Sequence, residues 1–282
     1  MNRALLKYQE VSRRIRTLAP VYGELLRFPR HARAPRHGLP GELIVSLTSY
    51  PPRYPVLVNT LKSLLDQTVK PDRLILWIAA GDEELLPAAV RRLAAYGLEI
   101  LVCDDLRSFK KIIPVLERWP DSFVLTADDD LYYPPDWLQT IVAGFSPAQP
   151  AIVCRRAHLP ARAADGRLAP YGDWQHEIDM RDDPSPRQGL FPTGIGGVLY
   201  YPGSLAPEVT DREAFLRLCP RADDVWLYWM GRRAGTRYRQ VGGPFTQISW
   251  PRSQRVSLWL ENVAAGENDR QIRAVEDHYG AS

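Results

Sequence analysis

The stretch Phe123-Val-Leu-Thr-Ala-Asp-Asp-Asp-Leu-Tyr-Tyr-Pro-Pro-Asp-Trp137 decides how this chain reads. Phe123–Thr126 predicts a short buried strand. The strand runs into Asp128, Asp129 and Asp130, and Pro134 and Pro135 then open a new element, predicted as a helix over Pro135–Phe145. Three carboxylates at one strand end repel each other unless something positive neutralises them. Mg²⁺ or Mn²⁺ does this through carboxylate oxygens and keeps positions for phosphate oxygens. An open α/β sheet binds its ligand at this place, outside the carboxyl ends of the strands. A solvated acidic turn would use the same residues. The strand in front and the pair Tyr132–Tyr133 behind favour metal–phosphate binding.

Working outward, strands are expected at Leu43–Leu47, Leu74–Ile78 and Leu98–Cys103, and helices at Pro55–Gln67, Glu83–Tyr96 and Lys110–Trp119. Alternation at this pace implies βαβ units and a mostly parallel sheet with right-handed connections. Beyond the helix after the aspartates the pattern loosens. Ala151–Arg155 and Gly197–Tyr201 read as strands, Asp223–Arg233 as a helix, and residues 159–193 as a long Pro-, Asp- and Gly-rich connection.

The 282 residues, 45% hydrophobic and 24% charged, suffice for a sizeable core. No run approaches the ~18 apolar residues of a membrane span, and the N-terminus lacks the apolar region of a signal peptide. Cys103, Cys154 and Cys219 are odd in number and far apart, which argues against a disulfide framework and for a reducing compartment. Residues 1–40 carry nine Lys/Arg and two acids, +7, which leaves −4 of the formal +3 for the rest. Such an extension suits an anionic surface, membrane lipid or nucleic acid. Residues 2–18 have helical character, either as a basic amphipathic helix on a membrane or as a helix packed on the body. Residues 28–41 read as a linker. The expected division is a basic helical extension and linker over 1–41 and one α/β domain over 42–282.

Four further places carry chemistry. Thr48, Ser49, Tyr50 and Arg53 follow the first strand and suit a nucleotide's base, ribose and phosphate, although Pro51–Pro52 would also mark an ordinary turn. Asp104 and Asp105 follow the third strand, and Lys110 and Lys111 open the next helix, where phosphate is favoured. A capping Asp and solvated lysines would serve for part of that group. Gly194, Gly196 and Gly197 permit close approach of backbone to a ligand, or a tight turn. Asp223 and Asp224 stand at a helix start; capping would explain one, and a general base is a candidate role for the other. Arg232, Arg233 and Arg237 follow and could face a diphosphate. No P-loop and no Gly-x-Gly-x-x-Gly follows the first strand, which argues against ATPases and dinucleotide dehydrogenases.

Taken together, TADDDLYYPPDW, FPTGIGGVLYYPGSL and ADDVWLYWMG resemble a glycosyltransferase of the GT-A fold, in particular inverting family 2 enzymes that build bacterial surface polysaccharides. The resemblance covers about residues 42–240. It implies a Rossmann-like α/β sheet flanked by helices, with nucleotide binding over about 42–130 and acceptor binding over about 131–282. It puts Asp128–Asp130 in the place of the family's DXD motif. Asp130 and Asp128 would hold Mn²⁺ or Mg²⁺, Asp128 and Asp129 would contact the nucleotide-sugar, and Asp104 or Asp105 would bind the base. Asp224 would be the catalytic base, with Asp223 beside it. The donor implied is a nucleotide-diphosphate sugar, foremost a UDP-sugar. The acceptor is a saccharide or a lipid-linked one. The cysteine usage suits a cytoplasmic setting, and the basic residues 1–40 suit peripheral contact with the inner face of the cell membrane, with nucleic acid the less expected partner. This sequence departs from the family pattern in LTSYPPRY after the first strand and in Asp-Asp where Glu-Asp is usual. The Gln-x-x-Arg-Trp motif of polymerising members is absent, which points to transfer of a single sugar. The rivals are a nucleotidyltransferase that makes nucleotide-sugars, and a non-catalytic saccharide- or nucleic-acid-binding protein.

Overall fold

The structure, a computed structural model, describes residues 16–251, 253 and 266–280. Its centre is a seven-stranded sheet in the order β3-β2-β1-β4-β8-β5-β9. The strands are β1 (Leu43–Thr48), β2 (Arg73–Ala79), β3 (Leu98–Cys103), β4 (Phe123–Ala127), β5 (Ile152–Cys154), β8 (Val198–Tyr200) and β9 (Tyr238–Gln240). β3, β2, β1 and β4 run parallel, β8 runs antiparallel between β4 and β5, and β9 pairs parallel with β5. A two-stranded ribbon of β6 (Ala157–His158) and β7 (Phe191–Pro192) stands apart from it.

Both faces of the sheet are covered, and the apolar alternation shows how. Ile44, Ile75, Trp77 and Val124 point to one face, where they meet Phe109, Ile113, α6 (Arg212–Leu218), α7 (Asp223–Arg233) and α8 (Glu267–Tyr279). Leu43, Val45, Leu47, Leu76 and Leu125 point to the other, against α2 (Tyr54–Leu65) and α5 (Trp137–Val142). Strands buried on both faces read as the unbroken apolar runs seen in the sequence. This is the mostly parallel α/β sheet flanked by helices that the alternation predicts.

Several elements differ from expectation. The helix expected over Glu83–Tyr96 is three pieces: a 3₁₀ turn at Glu83–Leu85, α3 (Ala88–Arg91) and a 3₁₀ turn at Arg92–Tyr96. Pro87 holds Leu86 extended (φ −66°, ψ 125°) and cannot donate to a helix begun at Glu83. The helix expected at Lys110–Trp119 is a 3₁₀ turn, Arg107–Lys111, and then α4 (Ile113–Arg118) with Pro114 in its first turn. α5 starts at Trp137 rather than Pro135. β9, α6 and α8 were not expected, and the connection over 159–193 is bracketed by the β6–β7 ribbon.

At the N-terminus, residues 16–25 are helical (α1), and residues 2–15 of the expected helix lie outside the described residues. Val21 and Leu25 of α1 pack with Tyr132 and Trp250, directly behind the aspartate turn. The segment read as a linker is bound to the body. Asp66 accepts the backbone N–H groups of Arg30 and His31, both at 2.7 Å, and the Arg30 Nε at 3.0 Å. Asp72 accepts from Arg36 Nε at 2.6 Å and the Leu43 N–H at 2.8 Å, and contacts His37 Nε2 at 2.8 Å. Among the described residues no helix is long and apolar enough to cross a membrane.

Candidate active site

The strand order turns at β1 and β4. From β1 the chain returns to β2 on one side, and from β4 it continues toward β8 and β5 on the other. Loops leaving two neighbouring parallel strands in opposite directions open a crevice at their carboxyl ends. The β1–β4 register pairs Leu47 with Ala127, so Thr48–Ser49 and Asp128–Asp129 emerge side by side.

Each of the three aspartates meets a different partner. Ser49 Oγ donates to Asp129 Oδ2 at 2.6 Å. Asp130 is buried and bound by the Arg53 guanidinium. Asp128 faces Lys111 Nζ at 3.6 Å. The backbone of the turn is equally fixed. The Asp128 N–H donates to the Tyr133 hydroxyl at 2.7 Å, and Thr60 Oγ1 bonds the carbonyls of Asp129 and Leu131, both at 2.9 Å. Trp250 closes the turn from behind. Its indole N–H donates to Thr60 Oγ1 at 2.7 Å and its backbone N–H to the Asp130 carbonyl at 3.1 Å.

The second half of the chain brings α7 to the same crevice. Its N-cap position is Ala222, which has no side-chain acceptor, and neither aspartate caps the helix. Asp223 Oδ2 instead lies 2.8 Å from Lys111 Nζ, and Asp224 Oδ1 accepts the Gly194 N–H at 3.0 Å. Lys111 thus sits between an acid just past β4 and an acid of α7. A Cβ on Gly194 would stand 3.0 Å from Lys111 Nζ and 3.1 Å from Asp224 Oδ1, so only glycine leaves this contact unstrained.

Five carboxylates share this crevice with two cations, Arg53 and Lys111, and the imbalance shows in their protonation. Burial and then Asp130 push the Asp129 carboxyl up to about 7. Burial and then Asp223 push Asp224 up to about 7. Burial also raises Asp128, against the pull of Lys111. Burial works against the charge of Lys111, but Asp223, Asp128 and Asp224 outweigh it and raise its pKa.

The other expected residues are placed as follows. Thr48 Oγ1 donates to the Trp77 carbonyl at 2.9 Å, and the Tyr50 hydroxyl supports the Arg53 guanidinium. Asp104 is bound by Arg212 at 2.7 Å and Asp105 by Lys110 at 2.6 Å, beside the edge strand β3. Lys110 is therefore taken by Asp105 and buried, and Lys111 is the lysine that reaches the acids. The 3₁₀ turn decides which of the two points inward. At Gly196 and Gly197 the fold itself requires glycine. Both have positive φ (87° and 96°), and a Cβ on Gly197 would strike Trp137 at 2.7 Å. Arg232 bonds the Tyr228 hydroxyl and Arg233 pairs with Glu208, both at the far end of α7 from Asp224, so neither faces the crevice.

A divalent cation can be tested against this donor set. Asp130, expected as a metal ligand, already has a cation of its own in Arg53. Asp128, with its side chain 24% exposed, keeps an open edge, and Asp129 stands next to it. Among the described residues no three ligating side chains converge. Two hard carboxylates with a deficit of positive charge fit Mg²⁺ or Mn²⁺, which take one or two protein carboxylates and complete their shell with water and phosphate oxygens.

No protein-family model and no curated protein sequence matches the chain. Solved structures with a similar fold include a mannosyltransferase from Pyrobaculum calidifontis in complex with GDP-mannose and Mn²⁺, 17% identical, covering 53% of this chain at a TM-score of 0.35. The chain spans 46% of that protein's length. Glucosyl-3-phosphoglycerate synthase from Mycobacterium tuberculosis, bound to Mn²⁺, UDP and glucosyl-3-phosphoglycerate, is 14% identical at a TM-score of 0.42, covering 86% of this chain and 81% of its own. A 4-diphosphocytidyl-2C-methyl-D-erythritol synthase from Anaerococcus prevotii is also 14% identical at 0.42, covering 80% and 96%. Likenesses this remote carry no argument about activity, which has to come from the side chains in the crevice.

Proposed function

We propose that this protein transfers a single sugar from a nucleotide-diphosphate sugar to a saccharide or lipid-linked acceptor, with inversion, in cell-surface polysaccharide synthesis. The observation that supports it is Asp224, raised to about 7 and positioned by Gly194, in one crevice with the aspartate turn at the carboxyl ends of β1 and β4. A base with a pKa near the working pH combines availability with driving force. Asp224 takes the proton of an acceptor hydroxyl. The acceptor oxygen bonds to the anomeric carbon as the bond from that carbon to the diphosphate oxygen breaks, and the nucleotide diphosphate leaves on the opposite face. Asp223, held by Lys111, raises the basicity of Asp224, so its ionised form takes up the acceptor proton readily. Ser49, Arg53 and Asp128–Asp130 form the donor side, and the segments after Leu131 form the acceptor side. A divalent cation held by Asp128 and Asp129 would, when bound, offset the charge that develops on the departing diphosphate.

Nucleotidyl transfer is the rival. It favours a glycine-rich loop after the first strand, where this chain has Pro51–Arg53 as a 3₁₀ turn. We infer further that the basic N-terminus holds the protein at the inner face of the cell membrane. The test is a UDP-sugar and GDP-sugar panel with saccharide acceptors and Mn²⁺, with the anomeric configuration of the product read by NMR. An inverted glycoside is expected. A retained one, or formation of a nucleotide-sugar from a nucleoside triphosphate and a sugar phosphate, would overturn the proposal.

A further inference from the structure

The β6–β7 ribbon ends at the crevice and carries a cation that the transfer chemistry does not use. The Thr193 N–H donates to the Arg156 carbonyl at 3.1 Å, and the next residue, Gly194, donates to Asp224. Arg156 therefore lies directly across the ribbon from the residue beside the base anchor. Cross-strand neighbours share a face, so Arg156 and Thr193 lie together on the face that also carries the stacked His158 and Phe191. Tyr171 packs edge-on to His158 and Phe191, at 5.8 and 6.3 Å between ring centroids, within electrostatic reach of Asp224, Arg156 and Glu177.

The polar groups of this wall are incompletely matched. Arg156 Nε and Thr193 Oγ1 are buried without a hydrogen-bond partner, and Thr193 is only 5% exposed. Buried donors left unpaired in a native protein call for an explanation. Among the described residues the Arg156 side chain, 15% exposed, pairs with one carboxylate, Glu177, at 3.1 Å. That glutamate is a weak partner. Its side chain is 66% exposed, and its backbone stands at φ +50°, a left-handed conformation that residues with a Cβ rarely adopt. His158, whose Nδ1 accepts the Glu177 N–H at 2.9 Å, adds no charge, since burial and Arg156 push its pKa down to about 3.

We propose that Arg156 binds an anionic group of the acceptor, a carboxylate or a phosphate, and that Glu177 is the internal counter-ion which this group displaces. The inference rests on the reading of the crevice as a glycosyl-transfer site and adds the class of acceptor, an acidic saccharide or a phosphorylated one. A guanidinium recognises either anion through paired N–H groups. Exposed ion pairs are weak, so a ligand anion that offers two oxygens to the guanidinium outcompetes Glu177. A substituent held by Arg156 places the rest of the acceptor along the ribbon toward Gly194 and Asp224.

The test is a calorimetric or NMR titration of the whole protein with methyl glucuronide, glucose 6-phosphate and neutral methyl glucoside, without donor. UDP and GDP, each with Mn²⁺, are titrated in parallel. Wild type is expected to bind at least one anionic probe ~10-fold more tightly than methyl glucoside, and which one tells carboxylate from phosphate. Arg156→Ala should abolish that preference and leave UDP binding unchanged. Glu177→Ala, a change at an exposed position, should tighten the anionic probe ~3-fold or more even if Arg156→Ala does not fold. Equal binding of all three probes, no binding of any, or no tightening in Glu177→Ala would overturn the inference. UDP binding without anion preference removes this inference and leaves the transferase reading standing. Anion preference with neither UDP nor GDP bound in the presence of Mn²⁺ overturns the transferase reading and, with it, the role of Arg156 toward an acceptor.

Discussion

Replacing Asp224 by Asn separates catalysis from stability in opposite directions. Asn keeps the size of the side chain and an oxygen for the Gly194 N–H, but it cannot take a proton. The raised pKa means that between about 4 and 7 the folded protein holds a proton which the unfolded chain releases. This carboxylate therefore costs stability progressively as pH rises through that window. The displacement from 3.8 to about 7 corresponds to ~4 kcal/mol at ~1.36 kcal/mol per pH unit. Local relaxation and water penetration reduce such a cost, so relief on the order of 2 kcal/mol is the expectation. At ~2–4 °C per kcal/mol for a protein of this size, Asp224→Asn should melt ~4–8 °C above wild type at pH 8 and equal it near pH 4. Turnover should fall at least ~10²-fold, with nucleotide affinity little changed. In wild type, turnover should rise ~10-fold from pH 6 to pH 8 as the base form fills. The assays are thermal melts across pH and single-sugar transfer under the same buffers. A variant that is both stabilised and inactive excludes misfolding as the cause of the lost activity. Wild-type turnover in Asp224→Asn with Asp223→Asn inactive would move the base to Asp223. Near-normal turnover in both would remove the acidic pair from the mechanism.

Three further outcomes follow from other contacts. Asp128→Asn should abolish Mn²⁺-dependent thermal stabilisation by UDP, which in wild type should reach ~2.7 kcal/mol at one hundred times Kd; unchanged stabilisation in the variant would remove Asp128 from the donor site. Gly194→Ala puts a Cβ 3.0 Å from Lys111 Nζ and 3.1 Å from Asp224 Oδ1, so turnover should drop ~10-fold or more while UDP affinity holds, as steady-state kinetics and titration would show. Deleting residues 1–15, with Arg3, Lys7, Arg13, Arg14 and Glu10, should weaken binding to anionic vesicles at low salt and spare transfer to a soluble acceptor; a longer deletion would also strip the segment bound to Asp66 and Asp72, and unchanged vesicle binding would refute the membrane role.

What the sequence disclosed, and what it hid, follows from the range of the interactions. β1, β2 and β4 were legible as apolar runs buried on both faces, and β3 as an apolar run at the sheet edge, all local signals. α6 had a signal that was missed, since Asp211 caps it by accepting from the Ala214 N–H at 3.0 Å. β7 (Phe-Pro) and β9 (Tyr-Arg-Gln) carry no apolar run, unlike the equally short β5 and β8. The acidic groups were legible by residue type, but their partners were not. Arg53 and Asp130 lie 77 residues apart, and Gly194 and Asp224 lie 30 apart. Nothing local tells Lys111 from Lys110 or Gly194 from Gly197; a 3₁₀ turn and a packed indole make those choices. The same limit bears on the charge of the site. Three consecutive aspartates call for positive charge, and the sequence reading assigned all of it to a metal ion. The fold supplies part of it internally, as Arg53 on Asp130 and Lys111 between Asp128 and Asp223. Asp129 and Asp224, both raised to about 7, carry the remaining deficit. One stands where a cation with a diphosphate would dock and the other where an acceptor proton would arrive. The uncompensated charge is thus divided between the two substrates of the proposed reaction.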